Sequence, residues 1–357
     1  MGTISAGKRS LDHCPLVRGR KCQLPCGSVP SDPGGPAPPG AFGSWRAAVI
    51  PVEFPLMRAV IIINPVAGGR ARGLTAADRV GLARRALEQT GTAGEVVLTE
   101  RRGHARELSV EAVRSGCDVV VAWGGDGTIN EVGAGVIASP AALGVVRAGS
   151  GNGMARELGI PVDPQAALRV ALAGDERLVD AGRFQGRTFF NVAGIGFDAW
   201  MAGCFDSLGG ERRGLARYTI ATFRRGFTYP AAEYLLDVDG ERLETRALVL
   251  AIANFRQYGG NVIVAPPARP DDGLLDLVAV GPRGAASRLL LVPRLYGGTL
   301  HLASGVLVRR ARRITVTTAE PAPSHVDGEP MPPAVRIEAE VLPGALRVRV
   351  PGGRARL

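Results

Sequence analysis

The sequence predicts an α/β plus β chain: an N-terminal three-layer domain on a parallel sheet, then a C-terminal antiparallel, β-sandwich-like domain. Three observations carry this. From position 58 to about 180, strand-sized apolar runs alternate with helix-compatible stretches, the pattern of a parallel sheet covered by helices. Within that half, Val119-Val120-Val121-Ala122-Trp123 runs without a polar break into Gly124-Gly125-Asp126-Gly127, as in a βα phosphate-binding unit. Beyond 180 the pattern changes to short alternating strands separated by Gly, Asp and Pro turns. The boundaries expected are an extension over 1–56, an α/β domain over 57–180 and a β-rich domain over 181–357, the last segment being a candidate to return to the first domain.

Taken in order, residues 1–56 are rich in Pro, Gly, Ser and Arg and show neither apolar alternation nor helical spacing. They cannot bury enough surface to offset their ordering entropy, so disorder is the expectation. His13, Cys14, Cys22 and Cys26 offer a competing zinc reading, but no second close Cys pair follows. Met57 directly precedes the first core run and is a candidate native start. Val60-Ile61-Ile62-Ile63 then predicts a strand, 75–88 an amphipathic helix, 96–98 a strand and 104–114 a helix. The Val119 run, a helix reaching 137 and a strand over 143–146 complete the parallel set, and 234–238 and 248–253 are strands of the second domain.

In a sheet wound this way ligands sit at the carboxyl ends of the strands. Four loops fall there: Asn64 to Gly73, Thr99 to Gly103, Gly124 to Thr128, and Ala148 to Gly153 with its run Gly149-Ser150-Gly151-Asn152-Gly153. Turn residues follow any strand, so each loop alone fits a surface turn. Together their amide and hydroxyl donors and close-approach glycines suit a nucleotide. Glycines at 124, 125 and 127 let main-chain N–H groups reach an anion, with Thr128 expected to cap the helix that follows. A bare carboxylate repels phosphate, so Asp126 implies a bridging cation or a proton acceptor. The chemistry indicated is a nucleotide with a divalent metal.

Composition narrows the class. The chain has 357 residues, 46% hydrophobic and 21% charged, enough for more than one core. A formal net charge of +10, carried almost wholly by Arg, attracts nucleic acid, anionic lipid or a polyphosphate. No aromatic-rich strand motif or Cys/His finger supports nucleic acid, which is not expected as a partner. No apolar run approaches the roughly 20 residues that span a bilayer, and no secretory leader opens the chain, so a cytoplasmic, peripheral protein is expected.

The run Gly124-Gly125-Asp126-Gly127-Thr128-Ile129-Asn130-Glu131-Val132 resembles the nucleotide-binding motif of the diacylglycerol kinase catalytic-domain family, which includes bacterial lipid kinases and sphingosine kinases. Its Gly-Gly-Asp-Gly-Thr core also resembles NAD kinases. Asn64-Pro65, Thr99 and Gly149 to Asn152 resemble further motifs of the lipid kinases, as do Asn191 to Ala199 and Ala265 to Asp276, so that the likeness runs from about Arg58 to the C-terminus. The resemblance implies ATP and Mg2+, with ATP contacts from Asn64, Pro65, Gly68, Thr99, Gly124, Gly125, Asp126, Gly127, Thr128, Asn130, Glu131, Ser150, Gly151 and Asn152. It implies a structural magnesium at the segment of Arg269, Asp272 and Leu274, through the Asp carboxylate and main-chain carbonyls; an ordinary Asp-Gly turn is the competing reading. Gly153 departs from the pattern, since many relatives carry Asp there. Asp327-Gly328-Glu329 resembles the family's catalytic Asp-Gly-Glu, and by itself would read as a solvated turn. With the nucleotide loops it supplies the missing general base, at 327 or at 329, with Asp126 the third catalytic candidate.

The activity expected is transfer of the ATP γ-phosphate to a hydroxyl of a diacylglycerol-like or sphingoid lipid. An NAD kinase and a nucleotide-binding regulatory module without turnover are the alternatives. The lipid partner lies in an anionic membrane surface, and 212–227 is a candidate interfacial helix, with Arg213, Arg217 and Arg224 flanking Ala216, Ile220, Phe223 and Phe227. A helix packed on the β domain with solvated arginines competes with that reading.

Overall fold

The computed structural model describes residues 57–68, 74–207 and 229–353. The tail with its His and Cys residues and the basic stretch 212–227 lie outside the described residues.

The first half alternates as the sequence predicts. Strand β1 (Arg58–Ile63) leads to helix α1 (Ala76–Thr90), β2 (Ala93–Leu98), α2 (His104–Arg114), β3 (Val119–Gly124), α3 (Asp126–Val136) and β4 (Ala142–Arg147). Two further helices follow, α4 (Gly153–Glu157) and α5 (Pro164–Ala173). The strands pair in parallel in the order β4-β3-β1-β2, and every residue of β3 is buried. Burial on both faces is why β3 reads as an unbroken apolar run rather than an alternating one. Helix α1 packs with α5 and α2 packs with α3, covering the sheet. Thr75 and Asp78 form a reciprocal capping box, so the helix expected from 75 begins one residue later and runs on to Thr90, where Gly91 at φ 64° closes it.

The second half is antiparallel. It comprises β5 (Asp175–Phe184), β6 (Arg187–Phe189), β7 (Val192–Gly196), helix α6 (Phe197–Ser207), β8 (Ala232–Val238), β9 (Glu241–Ala247), β10 (Val249–Ala253) and β11 (Leu275–Val280). Short helices α7 (Ala285–Leu289) and α8 (Leu291–Tyr296) precede β12 (Val306–Ala311), β13 (Arg313–Val326) and β14 (Glu329–Val350). Among the described residues all strands belong to one 14-stranded sheet whose main path is β12-β11-β10-β7-β13-β14-β4-β3-β1-β2. The join is made by β14. Its first half pairs antiparallel with β13, and its end lies parallel to β4 through Arg347 on Ala142 and Val348 on Leu143. The chain's last strand thereby fixes the β13–β14 turn relative to the parallel strands.

Candidate active site

The first loop is anchored by side chains that turn back onto main chain. Asn64 Oδ1 accepts from Val66 N at 3.1 Å, and its Nδ2 donates to Thr128 Oγ1 at 3.0 Å. Arg79 of α1 donates to the carbonyls of Asn64 and Ala67, which holds Pro65 and Gly68 in one turn. Thr128 is therefore not the cap expected of it. Helix α3 starts two residues earlier, at Asp126, with Gly125 as its N-cap and no side-chain cap bond. The hydroxyl of Thr128 is buried and serves Asn64 instead, because a residue already inside the first turn faces the neighbouring strand.

The two glycine loops form one cradle. Asp126 Oδ2 accepts from Asn152 N and Oδ1 from Gly153 N, both at 2.7 Å. Its carboxylate is turned into the second loop and away from the N-terminus of α3, where main-chain N–H groups lack intrahelical acceptors. Close approach requires the glycines: a Cβ on Gly149 would lie 2.8 Å from Gly125 Cα, and one on Gly151 would lie 2.6 Å from Asp126 Oδ2. Asn152 sits in the left-handed region at φ 53° and closes on Gly149, accepting from its N–H at 3.0 Å and donating to its carbonyl at 2.6 Å. Ser150 at the tip is exposed. Gly153, the departure from the relatives' Asp, has a physical reason here, since a Cβ there would meet Tyr258 O at 3.1 Å and Asn191 Oδ1 at 3.2 Å. Glu131 reaches the second-strand loop, accepting from Gly103 N at 2.9 Å, and Thr99 at the start of that loop donates its N–H to Ile63 O at 2.9 Å.

Asp327 and Gly328 form the two-residue turn between β13 and β14, with φ 48° and 86°, the paired left-handed residues of a tight hairpin. The Asp327 carboxylate is fully engaged. It accepts from Asn130 Nδ2 at 2.8 Å and from the N–H groups of Phe190, Asn191 and Val192 at 2.9, 2.9 and 3.0 Å. Burial pushes its pKa above the ordinary carboxylate value, and these donors pull the other way. Glu329 is differently placed. Its side chain is partly open, ion-paired with Arg187 and 3.8 Å from Arg102, and its Oε1 faces Gly127, where a Cβ would come within 3.5 Å. Of the two carboxylates in the motif, Glu329 faces the glycine loop and Asp327 is committed to holding the hairpin.

Beneath the turn, His325 accepts from Gly328 N through Nδ1 at 3.2 Å and meets Asp198 Oδ2 through Nε2 at 3.2 Å. Tyr258 donates to the same oxygen at 2.6 Å, and desolvation, reinforced by Asp198, raises its hydroxyl well above its ordinary pKa. Gly194 leaves the room for this cluster, because any Cβ there would strike Asp198 and His325. Arg187, Arg102, His325 and Tyr258 were not singled out in the sequence. The signal available was proximity: His325 lies in the last residues of β13, two positions before Asp327 of the turn.

The residues expected at a metal group elsewhere, at the head of β11. Asp272 accepts from Leu274 N at 3.2 Å and is ion-paired with Arg310, while Arg269 stands three positions earlier in the same loop. Among the described residues no cluster of three or more ligating side chains exists, so any cation here would be held chiefly by main-chain carbonyls. The donor chemistry fits a cation. Asp276 is fully buried and lies 3.5 Å from Arg310, and among the described residues neither of its oxygens has a hydrogen-bond partner. Desolvation raises its pKa to about 6.

Glycine loops at the edge of a parallel sheet, faced by a carboxylate hairpin from an antiparallel one, are the architecture of a phosphotransferase. Comparison with known proteins gives the particular kind. Residues 58–184 match the diacylglycerol kinase catalytic domain and 191–350 the YegS C-terminal NAD kinase beta sandwich-like domain. A Pseudomonas aeruginosa protein described as "Probable lipid kinase YegS-like" is 33% identical over 271 residues, spanning 75% of this chain and 88% of its own. A Mycobacterium tuberculosis protein described as "Diacylglycerol kinase" is 30% identical over 257 residues, 69% of this chain and 81% of that one. A crystal structure from Bacillus anthracis, titled a putative diacylglycerol kinase, superposes with a TM-score of 0.68 at 22% identity over 84% of this chain and 99% of its own, a likeness of fold. The chain belongs to the diacylglycerol kinase catalytic-domain family and is a lipid kinase. Of the readings weighed from the sequence, family membership favours this one over the NAD kinase and the non-catalytic module.

Proposed function

We propose that the protein transfers the γ-phosphate of ATP to a hydroxyl of a diacylglycerol-like or sphingoid lipid, with Glu329 as proton acceptor and Asp327 as the residue that positions it. The observation that carries this is the approach of Glu329 to Gly127 across the cradle. A hydroxyl placed between them would lose its proton to Glu329 as its oxygen attacks the γ-phosphorus and the bond to the β-phosphate oxygen breaks. The glycine loops and the first turn of α3 would hold the phosphates by main-chain N–H groups. Arg187 and Arg102 add positive charge beside the transferring group. Magnesium bound with the nucleotide would supply charge neutralisation of the β- and γ-phosphates.

On the same reading, 57–180 carries the nucleotide and 181–357 the lipid, and the protein works at a membrane surface. No helix among the described residues is long and apolar enough to cross a bilayer. The test is incubation of purified protein with a mixed lipid extract, radiolabelled ATP and magnesium, followed by mass spectrometry. One new phosphorylated lipid is expected, and its backbone names the class. Label transfer to NAD and to no lipid would overturn the reading.

A further inference from the structure

Between Asp276 and Glu320 the chain contains no acidic residue and seven arginines. That segment also carries most of the exposed large apolar side chains of the second half. Leu289 and Leu290 at the α7–α8 junction are 52% and 69% exposed, Tyr296 at the end of α8 is 58% exposed, and Leu302 in the following turn is 66% exposed. The burial pattern explains the ridge. Leu291 and Leu295, one helical turn apart, pack onto the core beneath, so their neighbours Leu290 and Tyr296 point away from it.

The charges bracket this ridge. Arg294 lies within α8 and donates to the carbonyl of Thr299, and Arg288 donates to the carbonyls of Arg283 and Tyr229. Arg283, beside Gly305, is turned inward: its Nε and Nη2 are buried and have no acceptor among the described residues, so its charge adds to the positive field of the segment rather than to its contact surface. Exposed leucines and a tyrosine flanked by arginines, with no carboxylate in the segment, match the chemistry of an anionic bilayer interface. Apolar tips enter the acyl boundary while guanidinium groups meet phosphate. A protein partner would be selected by charges of both signs, and this segment offers one.

The ridge is tied to the kinase site by a single loop. Ile263 N donates to Leu295 O at 2.9 Å and Gly298 packs on Ile263, while earlier in the same loop Gly259 and Gly260 lie on Gly151, with Gly260 N donating to Gly151 O at 3.0 Å. Tyr258, which donates to Asp198, begins this loop. We propose that the α7–α8 ridge and the turn through Leu302 dock the enzyme on an anionic membrane, so that the bilayer surface is held beside the second glycine loop. This rests on the lipid-kinase reading for its purpose but on the ridge alone for its chemistry.

The experiment is co-sedimentation of the full chain with phosphatidylcholine vesicles with and without phosphatidylglycerol, for wild type and for the double variant Leu290→Ser, Leu302→Ser. Both positions are exposed, so the melting temperature and ATP binding of the variant should match wild type. Wild type should sediment with the anionic vesicles and lose binding as salt screens the arginines. The variant should bind at least about tenfold more weakly. Phosphorylation of vesicle-borne lipid should fall in parallel, while that of a short-chain lipid dispersed in detergent is retained. Equal sedimentation of variant and wild type overturns the proposal, as does a variant that changes only the oligomeric state, which would assign the ridge to a second copy of the chain. Vesicle binding that depends on the ridge, from a protein that phosphorylates no lipid, would uphold docking and overturn the lipid substrate.

Discussion

Asn130 donates its side-chain amide to Asp327 at 2.8 Å across a sequence separation of 197 residues, joining the helix that follows the first glycine loop to the hairpin between β13 and β14. Three main-chain N–H groups complete the shell, so the carboxylate acts only as an acceptor. Asp327→Asn puts an NH2 group where an oxygen receives donors and leaves at least one of them unpaired in a buried place. The expected result is a loss of about 2–4 kcal/mol of stability, read by urea unfolding, together with lower turnover. Unchanged stability with lost turnover would return the proton-acceptor role to Asp327.

Glu329→Gln is the complementary variant. Its side chain is partly open and its partners are two arginines on the surface of the cleft, so stability should change by less than about 0.5 kcal/mol. Turnover should fall by about two to four orders of magnitude with ATP affinity preserved, because the amide keeps the shape and cannot take the proton. Isothermal titration with ATP and a lipid phosphorylation assay separate the two effects. Retained turnover would assign Glu329 to positioning alone.

How much of this was legible in the sequence follows from the range of each interaction. The strand at Val119, the glycine loop after it and the hairpin at Asp327-Gly328 are local patterns, and each lies where its residues indicate. The capping role expected of Thr128 failed because its partner, Asn64, is set by the pairing of β1 with β3. Asp126 was read as implying a bridging cation or a proton acceptor, and its oxygens receive N–H groups from a loop reached only through β4, a contact no local pattern announces. The two carboxylates of the Asp-Gly-Glu turn could not be ranked in one dimension. Their difference arises from Phe190, Asn191 and Val192 on one side and Arg187 on the other, contacts that exist only once β7 and β6 lie beside the hairpin. The pairing of Asp198 with His325 and Tyr258 has the same origin.

Asp126 gives the third prediction. Removing its carboxylate leaves Asn152 N and Gly153 N without acceptors, so Asp126→Ala should lower stability by about 1–3 kcal/mol as well as abolish turnover. Gly151→Ala pushes a methyl group toward Asp126 Oδ2 and should produce a milder form of the same defect. Since both changes act on one contact, the double variant should be little worse than Asp126→Ala, with a coupling of about 1 kcal/mol or more in a double-mutant cycle. Additive losses of stability and of ATP affinity would show that the two loops are not clamped by this carboxylate.

The last prediction concerns cation binding by the loop at the head of β11, as the family resemblance implies. Asp272 and Asp276 share one arginine, and among the described residues neither oxygen of the buried Asp276 has a hydrogen-bond partner. The arrangement is undercompensated as it stands, since a single guanidinium faces two carboxylates and desolvation opposes the ionised form of Asp276. A divalent cation coordinated by Asp272 and nearby main-chain carbonyls would add the missing charge. Magnesium binding only the folded chain stabilises it by about 2.7 kcal/mol at a free concentration about a hundredfold above its Kd. The loop is also wired to the hairpin. Gly273 N donates to Asp180 Oδ2 at 2.7 Å, Asn254 bridges the carbonyls of Asp180 and Phe190, and Phe190 N donates to Asp327. Magnesium should therefore raise the melting temperature of wild type measured without nucleotide, EDTA should reverse the rise, and Asp272→Asn should abolish it. Calcium, with longer bonds and looser geometry, should substitute in the melting assay more readily than zinc, because every donor is oxygen. A melting temperature indifferent to magnesium in wild type would mean that Arg310 is the counter-ion of this cluster, and Arg310→Gln would then destabilise the protein in the presence and absence of the metal alike.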